Sequence, residues 1–208
     1  MRYDMKEKSD RKRELILEAA RREFLEKGFS GGSLRNIAGR VSGTTGIIYT
    51  YFRNKEDIFQ ALVQPAVIEI ESFLKLEEIS FQDVKSRGVG IREWFSRYLK
   101  FLIELIERYP DEMKLLFVNS SGSDFENYRD ELIEIGKKRS RKNFRELERT
   151  EEFRGEQISE FFLHNLVNYV FNISVEIIKE DLSREDLQLF EAEIRAFLFN
   201  GWNGLVKI

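Results

Sequence analysis

The chain has 208 residues, of which 42% are apolar and 34% are charged, so it can bury a sizeable core behind charged helical faces. It has no cysteine and one histidine, His164, which excludes disulfides, thiol catalysis and zinc sites of the Cys/His kind. Of the 34 Lys and Arg, 13 fall in residues 1–55, together with 7 of the 37 Asp and Glu. The remainder therefore holds 21 basic and 30 acidic residues. A basic N-terminal quarter fits a DNA-contacting segment joined to a body that phosphate does not attract, and ordinary scatter of charge among solvated helical faces is the alternative.

The sequence predicts an all-α fold. Only two prolines occur, and apolar residues repeat at helical spacing over long stretches. The N-terminal residues are polar and lack the apolar core of a signal peptide. No uncharged run reaches the roughly 18 to 20 residues that a membrane span requires. We therefore expect a cytoplasmic protein without a membrane partner.

The first predicted helix covers about residues 9–27. Its apolar stripe contains Ile16, Ala19, Ala20 and Phe24. Gly28 follows at a position where helices commonly end in a left-handed cap. After such a cap, Phe29 is expected to fold back onto the end of the helix.

Two short helices joined by a tight turn come next. The first covers residues 33–41, with Ser33 as its N-cap. After the turn at residues 42–44, the second helix covers residues 45–52, and Gly46 leaves its first turn without a side chain. This spacing is typical of a helix-turn-helix, whose second helix enters the major groove with its N-terminal residues at base edges.

The remaining sequence predicts further helices. Asn54 caps one of them, and Pro65 within it predicts a kink or a break. Residues 78–89 are predicted to be irregular. The later helices are predicted at about residues 91–108, 110–119, 124–150, 155–180 and 183–206. Together these segments give about nine helices, with a helix-turn-helix domain at residues 1–54 and a larger helical domain at residues 55–208.

Several short motifs stand together in the N-terminal quarter. They are Phe24 after the apolar-Ala-Ala face, Lys27-Gly28-Phe29, Ser33-Leu34-Arg35-x-Ile37-Ala38, Gly46, Ile48-Tyr49-x-Tyr51-Phe52 and Asn54-Lys55-Glu56-Asp57. In combination, residues 14–63 resemble the DNA-binding domain of the tetracycline-repressor (TetR) family of transcription regulators. The resemblance implies a three-helix DNA-binding domain and a larger helical domain for ligand binding and dimerisation. It further implies a homodimeric repressor that a small-molecule effector releases from a pseudopalindromic double-stranded DNA operator.

The chain departs from the family pattern in and around the turn. The family usually has Gly followed by an apolar residue, whereas this chain has Ser42 and Gly43. Thr45 stands where Lys is frequent, and Ile47 stands where many members have Thr or Ser. Asn36 replaces the usual acidic residue. We expect these changes to alter which bases are read and to leave the fold in place.

The resemblance implies DNA contacts at the starts of three helices, where free N–H groups and the helix dipole attract phosphate. Lys55 is a cation at a helix start, which the dipole disfavours, so a bound phosphate would explain its presence. The resemblance assigns contacts with phosphates or with one DNA strand to Ser33, Arg35, Tyr49 and Lys55. It assigns contacts with base edges to Thr45, Gly46 and Thr50. The predicted DNA-binding set is Ser33, Leu34, Arg35, Thr44, Thr45, Gly46, Ile47, Tyr49, Thr50 and Lys55, with the operator recognised through Thr44–Phe52.

Packing is the alternative role for the apolar members of this segment. Ile47 either touches a thymine methyl group or packs in the core, and the sequence leaves both open. Ile48, Tyr51 and Phe52 are expected mainly in the core.

The aromatic residues of the body have the size to line a ligand cavity, although a plain hydrophobic core needs the same stripes. The candidate pocket residues are Trp94, Tyr98, Phe101, Phe117, Tyr128 and His164. The last two helices resemble the pair that forms a four-helix bundle across the family's two-fold dimer. The candidate interface residues are Phe171, Phe190, Ile194, Phe197 and Trp202. We expect neither a metal nor a cofactor.

The sequence also bears on two other classes of protein. A helical interaction or scaffold protein without DNA binding is the alternative, and the basic N-terminal quarter with Gly46 and Lys55 argues against it. An enzyme is not expected. The sequence has no Gly-rich phosphate loop and no paired carboxylates that can be placed together, and His164 has no identifiable Ser or Cys partner.

Overall fold

The structure is a computed structural model, which describes the backbone of residues 2–87, 91–148, 158–180 and 182–206. Side-chain environments are described over residues 7–75, 96–146, 148, 158–180, 182–201 and 204. The described residues form nine helices and no strand: α1 Arg2–Gly31, α2 Leu34–Arg40, α3 Thr45–Tyr49, α4 Lys55–Arg87, α5 Ile91–Arg108, α6 Pro110–Phe117, α7 Tyr128–Leu147, α8 Glu160–Glu180 and α9 Arg184–Val206. The predicted all-α fold with about nine helices is confirmed.

Helix α4 is longer than the sequence predicted. It continues through Pro65 and ends at Arg87, so a break at Pro65 is wrong and a kink there stays a prediction. The irregular segment predicted over residues 78–87 is also wrong, because these residues are helical. Proline removes one helical hydrogen bond, but buried side chains on both sides of it hold the helix in place. These buried residues are Leu62, Val63, Ala66 and Val67. Residues 88–90 lie outside the described part of the chain.

The starts of α4, α8 and α9 follow their capping residues, whereas Ser33 and Thr44 precede α2 and α3 without a side-chain cap bond. Asn54 Oδ1 accepts the Asp57 N–H at 2.8 Å, which confirms Asn54 as the cap of α4. Ser183 Oγ likewise accepts the Asp186 N–H at 3.2 Å before α9. Ser159 accepts an N–H at the start of α8, which begins later than predicted, at Glu160. Helix α7 ends at Leu147, and residues 149–157 lie outside the described part.

The chain folds into two compact units. The first unit contains residues 1–69 and 109–128, and the second contains residues 70–108 and 129–208. The helix-turn-helix therefore shares a unit with the start of α4, with α6 and with the segment after it. The domain limits expected from the sequence, after residue 54, stay a prediction.

An aromatic cluster closes the core of the first unit at the end of α1. The ring centroid of Phe24 lies 5.7 Å from that of Phe29 and 5.5 Å from that of Phe59. Gly28 makes this possible, because its φ of 69° and ψ of 171° belong to a region that glycine alone populates readily. The predicted left-handed cap at Gly28 is wrong, because its φ is positive but its ψ of 171° lies outside the left-handed helical range. Phe29 folds back as predicted and is buried.

Helix α6 and the segment after it are bonded directly to α1. The Nδ2 of Asn119 donates to the carbonyls of Phe24 and Leu25 at 2.8 and 3.0 Å, and its own carbonyl accepts the Phe29 N–H at 2.8 Å. These bonds satisfy backbone groups that the end of a helix leaves free. Arg21 also binds the buried carboxylate of Glu112 at 2.8 Å. Residues nearly a hundred positions apart therefore fix the end of α1.

The second unit is a packed set of long helices. Phe73 of α4 stacks on Phe101 of α5 with centroids 3.8 Å apart. Helices α7 and α8 approach closely at Gly136, where a Cβ atom would lie 3.1 Å from Val167. Among the described residues, α8 alone is long and apolar enough to cross a membrane. That composition is weak evidence of a span, because helices that pack in a protein interior or interface share it.

Candidate nucleic-acid interface

Glu23 joins α1 to α2. Its side chain is 0% exposed, and its Oε1 accepts hydrogen bonds from Lys27 Nζ and Asn36 Nδ2 at 2.8 Å and from the Ser33 N–H at 3.3 Å. Arg40 approaches Oε2 at 3.4 Å. Burial by itself raises the pKa of Glu23, but the bonds from Lys27 and Asn36 and the charge of Lys27 outweigh it and hold that pKa below its ordinary value. The ionised carboxylate thus orients the start of α2.

Glu23 belongs to none of the sequence motifs described above. A signal was nevertheless present, since Glu23 stands seven residues after Ile16 and four after Ala19, on the apolar stripe of α1. A carboxylate on such a stripe needs partners that neutralise it. Lys27, one helical turn further on, is the partner that the sequence places within reach.

The turn between α2 and α3 is a Schellman motif. The N–H of Ser42 donates to the carbonyl of Gly39 at 3.2 Å, and the N–H of Gly43 donates to that of Ala38 at 3.0 Å. The left-handed position falls on Ser42, whose φ is 52°. Lys12 Nζ supports this end of α2 by donating to the Val41 carbonyl at 3.1 Å. With Ser42 in the left-handed position and Gly43 after it, the turn still closes with both hydrogen bonds of this motif.

The recognition helix α3 exposes its N-terminal residues. Thr44 precedes it in an extended conformation, with φ −101° and ψ 163°. Ile48 is fully buried beneath the helix and Phe52 is nearly so, as expected for core residues, whereas Ile47 and Tyr51 are half-buried. Helix α3 ends at Tyr49, earlier than predicted. The exposed members of the segment are Thr44, Thr45, Gly46, Tyr49 and Thr50.

Lys55 starts α4 and turns toward the end of α1. Its Nζ donates to the carbonyls of Phe29 at 2.7 Å, Gly32 at 3.2 Å and Ser30 at 3.5 Å. The same ammonium lies 4.3 Å from the centroid of the Phe29 ring. A cation at the C-terminal end of a helix is electrostatically favourable, which accounts for this placement. A phosphate contact by Lys55 stays a prediction. It requires that Nζ give up at least one of these hydrogen bonds and donate to a phosphate oxygen instead.

The predicted DNA-binding residues all lie in the first unit. Ser33, Leu34 and Arg35 stand at the start of α2, where Arg35 is exposed and the other two are half-buried. The segment from Thr44 to Thr50 contains α3, and Lys55 begins α4. The three helix starts that the sequence pointed to are therefore held in one compact unit.

The candidate pocket residues fall into separate groups. The rings of Phe117 and Tyr128 lie 6.3 Å apart in the first unit. Tyr98 and Phe101 pack beside Phe73 in the second. His164 is exposed on α8. The side chain of Trp94 lies outside the described part, and a pocket formed by these residues stays a prediction.

The candidate dimer residues differ in exposure. Phe197 is 67% exposed, Phe171 and Phe190 are half-buried, and Ile194 is buried. The side chain of Trp202 lies outside the described part. Further apolar side chains that were not in the predicted interface set are exposed on the same two helices, namely Phe161, Phe162, Tyr169 and Leu189.

Residues 16–62 match the sequence model of the family described as bacterial regulatory proteins, tetR family. The HTH-type transcriptional repressor NicS of Pseudomonas putida is 34% identical over 110 residues, which are 53% of this chain and 49% of that protein. The repressor BepR of Brucella suis is 45% identical over 51 residues, or 24% of each chain. The TetC protein of transposon Tn10 from Escherichia coli is 26% identical over 89 residues, or 43% of each chain. The chain thus matches less than half the length of each of these relatives.

Solved structures share the fold over nearly the whole chain. A TetR family transcriptional regulator from Chloroflexus aurantiacus superposes with a TM-score of 0.64 at 15% identity, covering 92% of this chain and 93% of that one. NalD of Pseudomonas aeruginosa superposes with a TM-score of 0.61 at 17% identity, covering 96% of this chain and 98% of that one. The all-α fold and the exposed recognition helix define a helix-turn-helix DNA-binding protein. Residues 16–62, which match the tetR family model, contain this helix-turn-helix, and the described residues have the fold that these solved structures share.

Proposed function

We propose that the chain is a homodimeric repressor that binds a pseudopalindromic operator and is released by a small-molecule effector. The observation that carries the proposal is the exposed start of α3 on a fixed scaffold, between buried Ile48 and the turn at Ser42. NicS and BepR are named repressors, and NalD is the secondary repressor of the MexAB-OprM multidrug efflux pump. As a DNA-binding regulator, the chain is proposed to act in the cytoplasm and without catalysis.

Base recognition is assigned to the exposed residues of the recognition helix. Thr45 and Thr50 carry hydroxyl groups that can donate to or accept from base edges. Gly46 lets the helix backbone approach the groove. Arg35 and Tyr49, both exposed, would contact phosphates on either side and fix the register without specifying sequence.

Dimerisation is assigned to the exposed apolar side chains of α8 and α9. Phe161 and Phe197 are 78% and 67% exposed, and a second copy would remove both from water. A two-fold dimer presents the same surface from each copy and brings two recognition helices to successive major-groove faces about 34–36 Å apart.

Release by an effector requires that a change elsewhere reaches the recognition helix. Asn119 and Glu112 bind α1 directly, so a displacement of α6 would move α1 with it. An effector with higher affinity for the displaced conformation would shift the population toward a form that does not fit the operator.

The function is tested by selecting duplexes from a random-sequence library with the full chain. We expect an enriched pseudopalindrome whose half-sites are about 10 base pairs apart from centre to centre, bound by a dimer in light scattering. Enrichment of no sequence would contradict the proposal. The absence of salt-dependent retention on a heparin or DNA column would instead favour an interaction protein without DNA binding.

Lys55→Ala is expected to weaken binding to all duplexes alike. Because one phosphate contact is lost, the slope of log K against log salt should fall in magnitude by about one. Electrophoretic titrations of the selected duplex at several salt concentrations measure both quantities. The matched control is Lys138→Ala, which removes the same charge from an exposed position of α7 and should leave the slope unchanged.

Two outcomes would exclude the phosphate contact by Lys55. One is unchanged affinity. The other is a loss of affinity at an unchanged slope, which would mean that Lys55 acts only through the carbonyls of Phe29, Ser30 and Gly32 that it binds.

A further inference from the structure

The Schellman motif that ends α2 lacks a side chain at a position that usually supplies one. In this motif the residue after the left-handed one commonly packs an apolar side chain against the last turn of the helix. Here that residue is Gly43. The contact must therefore come from elsewhere, or the turn would leave a gap in front of the recognition helix.

Ile47 fills this position from the first turn of α3. A Cβ atom at residue 43, placed by the backbone geometry, would lie 2.8 Å from Ile47 Cγ2 and 3.8 Å from Ile47 Cβ. The Cγ2 methyl group thus occupies the space of the missing side chain. A β-branched side chain in a helix keeps one strongly preferred rotamer, so this methyl group cannot turn away.

We infer that Gly43 and Ile47 form an interlock that seats the recognition helix on the end of α2. Ile47 is a positioning residue in this arrangement and makes no base contact, and its β-branch requires glycine at residue 43. Discrimination among DNA sequences then depends on the exposed Thr45, Gly46 and Thr50. The statement about bases rests on the proposed function, whereas the interlock itself does not.

The interlock is tested by placing Gly43→Ala in three backgrounds of the full chain and measuring melting temperatures at one protein concentration. The φ of Gly43 is not positive, so alanine is costly there only through its methyl group. In the natural sequence and with Ile47→Val, which keeps both γ carbons, we expect a fall of about 5 °C. In the Ile47→Leu background, where the single γ carbon of leucine can turn away, we expect Gly43→Ala to lower the melting temperature by only about 1 °C.

Gly39→Ala is the matched control. It makes the same chemical change on α2, where no atom lies within 4 Å of the added carbon, and it should leave the melting temperature unchanged or raise it. Equal effects of Gly43→Ala in all three backgrounds would overturn the interlock, because the two positions would then be independent.

The role in base recognition is tested with Ile47→Leu on the duplex selected by the natural chain and on its single-base variants. We expect affinity within about threefold and an unchanged ranking of the variants. A ranking altered at one base pair, with a melting temperature near that of the natural chain, would show that Ile47 contacts a base and overturn this part. If the natural chain selects no duplex, the proposed function fails, while the melting temperatures still decide the interlock.

Discussion

Glu23→Ala is expected to lower the free energy of unfolding by about 3 kcal/mol, the largest effect on stability anticipated for the first unit. The carboxylate is fully buried and binds four donors from three parts of the chain. Its removal leaves the Asn36 amide and the Ser33 N–H without their acceptor and opens a cavity at the junction of α1 and α2. Lys27 and Arg40 are partly exposed and can be hydrated, which limits the loss.

Glu26→Ala is the matched control for Glu23→Ala. Glu26 lies on the same helix and binds the same Arg40 at 2.6 Å, but its side chain is 53% exposed. Exposed ion pairs contribute about 0 to 1 kcal/mol, so the control should change stability by no more than that. Urea unfolding of both variants at neutral pH measures the difference. Losses of equal size would show that Glu23 contributes no more than a surface pair.

The effect of Glu23→Ala should also depend on pH. The pKa of Glu23 is lower in the folded chain than its ordinary value, so the unfolded chain binds the proton more tightly. The stability that Glu23 provides is therefore fully present above the ordinary carboxyl pKa of about 4.3 and is lost as the pH falls through the folded value. We expect the difference between the natural chain and the variant to shrink on acidification. A difference that grows below that pH would contradict the assigned direction.

Gly46→Ala is expected to weaken operator binding by about 30-fold while the fold stays intact. A Cβ atom at residue 46 would meet only Thr44 Oγ1, at 3.5 Å, which is an ordinary contact. Gly46 is exposed in the first turn of α3, so the added methyl group would lie on the surface proposed to approach base edges. Alanine also favours a helix more than glycine does, so stability should not fall.

Electrophoretic titration and thermal unfolding together test Gly46→Ala. Gly39→Ala again serves as the control, because it adds a methyl group to an exposed glycine of α2 with open space around it. It should bind the selected duplex as the natural chain does. If Gly46→Ala binds equally well, the backbone of α3 does not approach the groove at that residue, and the proposed docking of the helix is wrong.

The sequence by itself determined the features that depend on neighbouring residues. Helical spacing was enough to predict the later helices, and the caps at Asn54 and Ser183 were enough to predict the starts of α4 and α9. A glycine at the end of the first helix was enough to predict a positive φ at Gly28, but not its ψ of 171°. The spacing of the helix-turn-helix is likewise local, because both helices and their turn lie within 20 residues.

Only the tertiary structure decided which partners the charged and polar side chains take. Lys55 binds a carbonyl 26 residues before it, and Asn119 binds one 95 residues before it. The continuation of α4 through Pro65 depends on what its buried faces pack against. Local periodicity carries no information on such contacts, because they join segments that are far apart along the chain and that only folding brings together. The burial of Glu23 and the seating of Ile47 against Gly43 belong to this class.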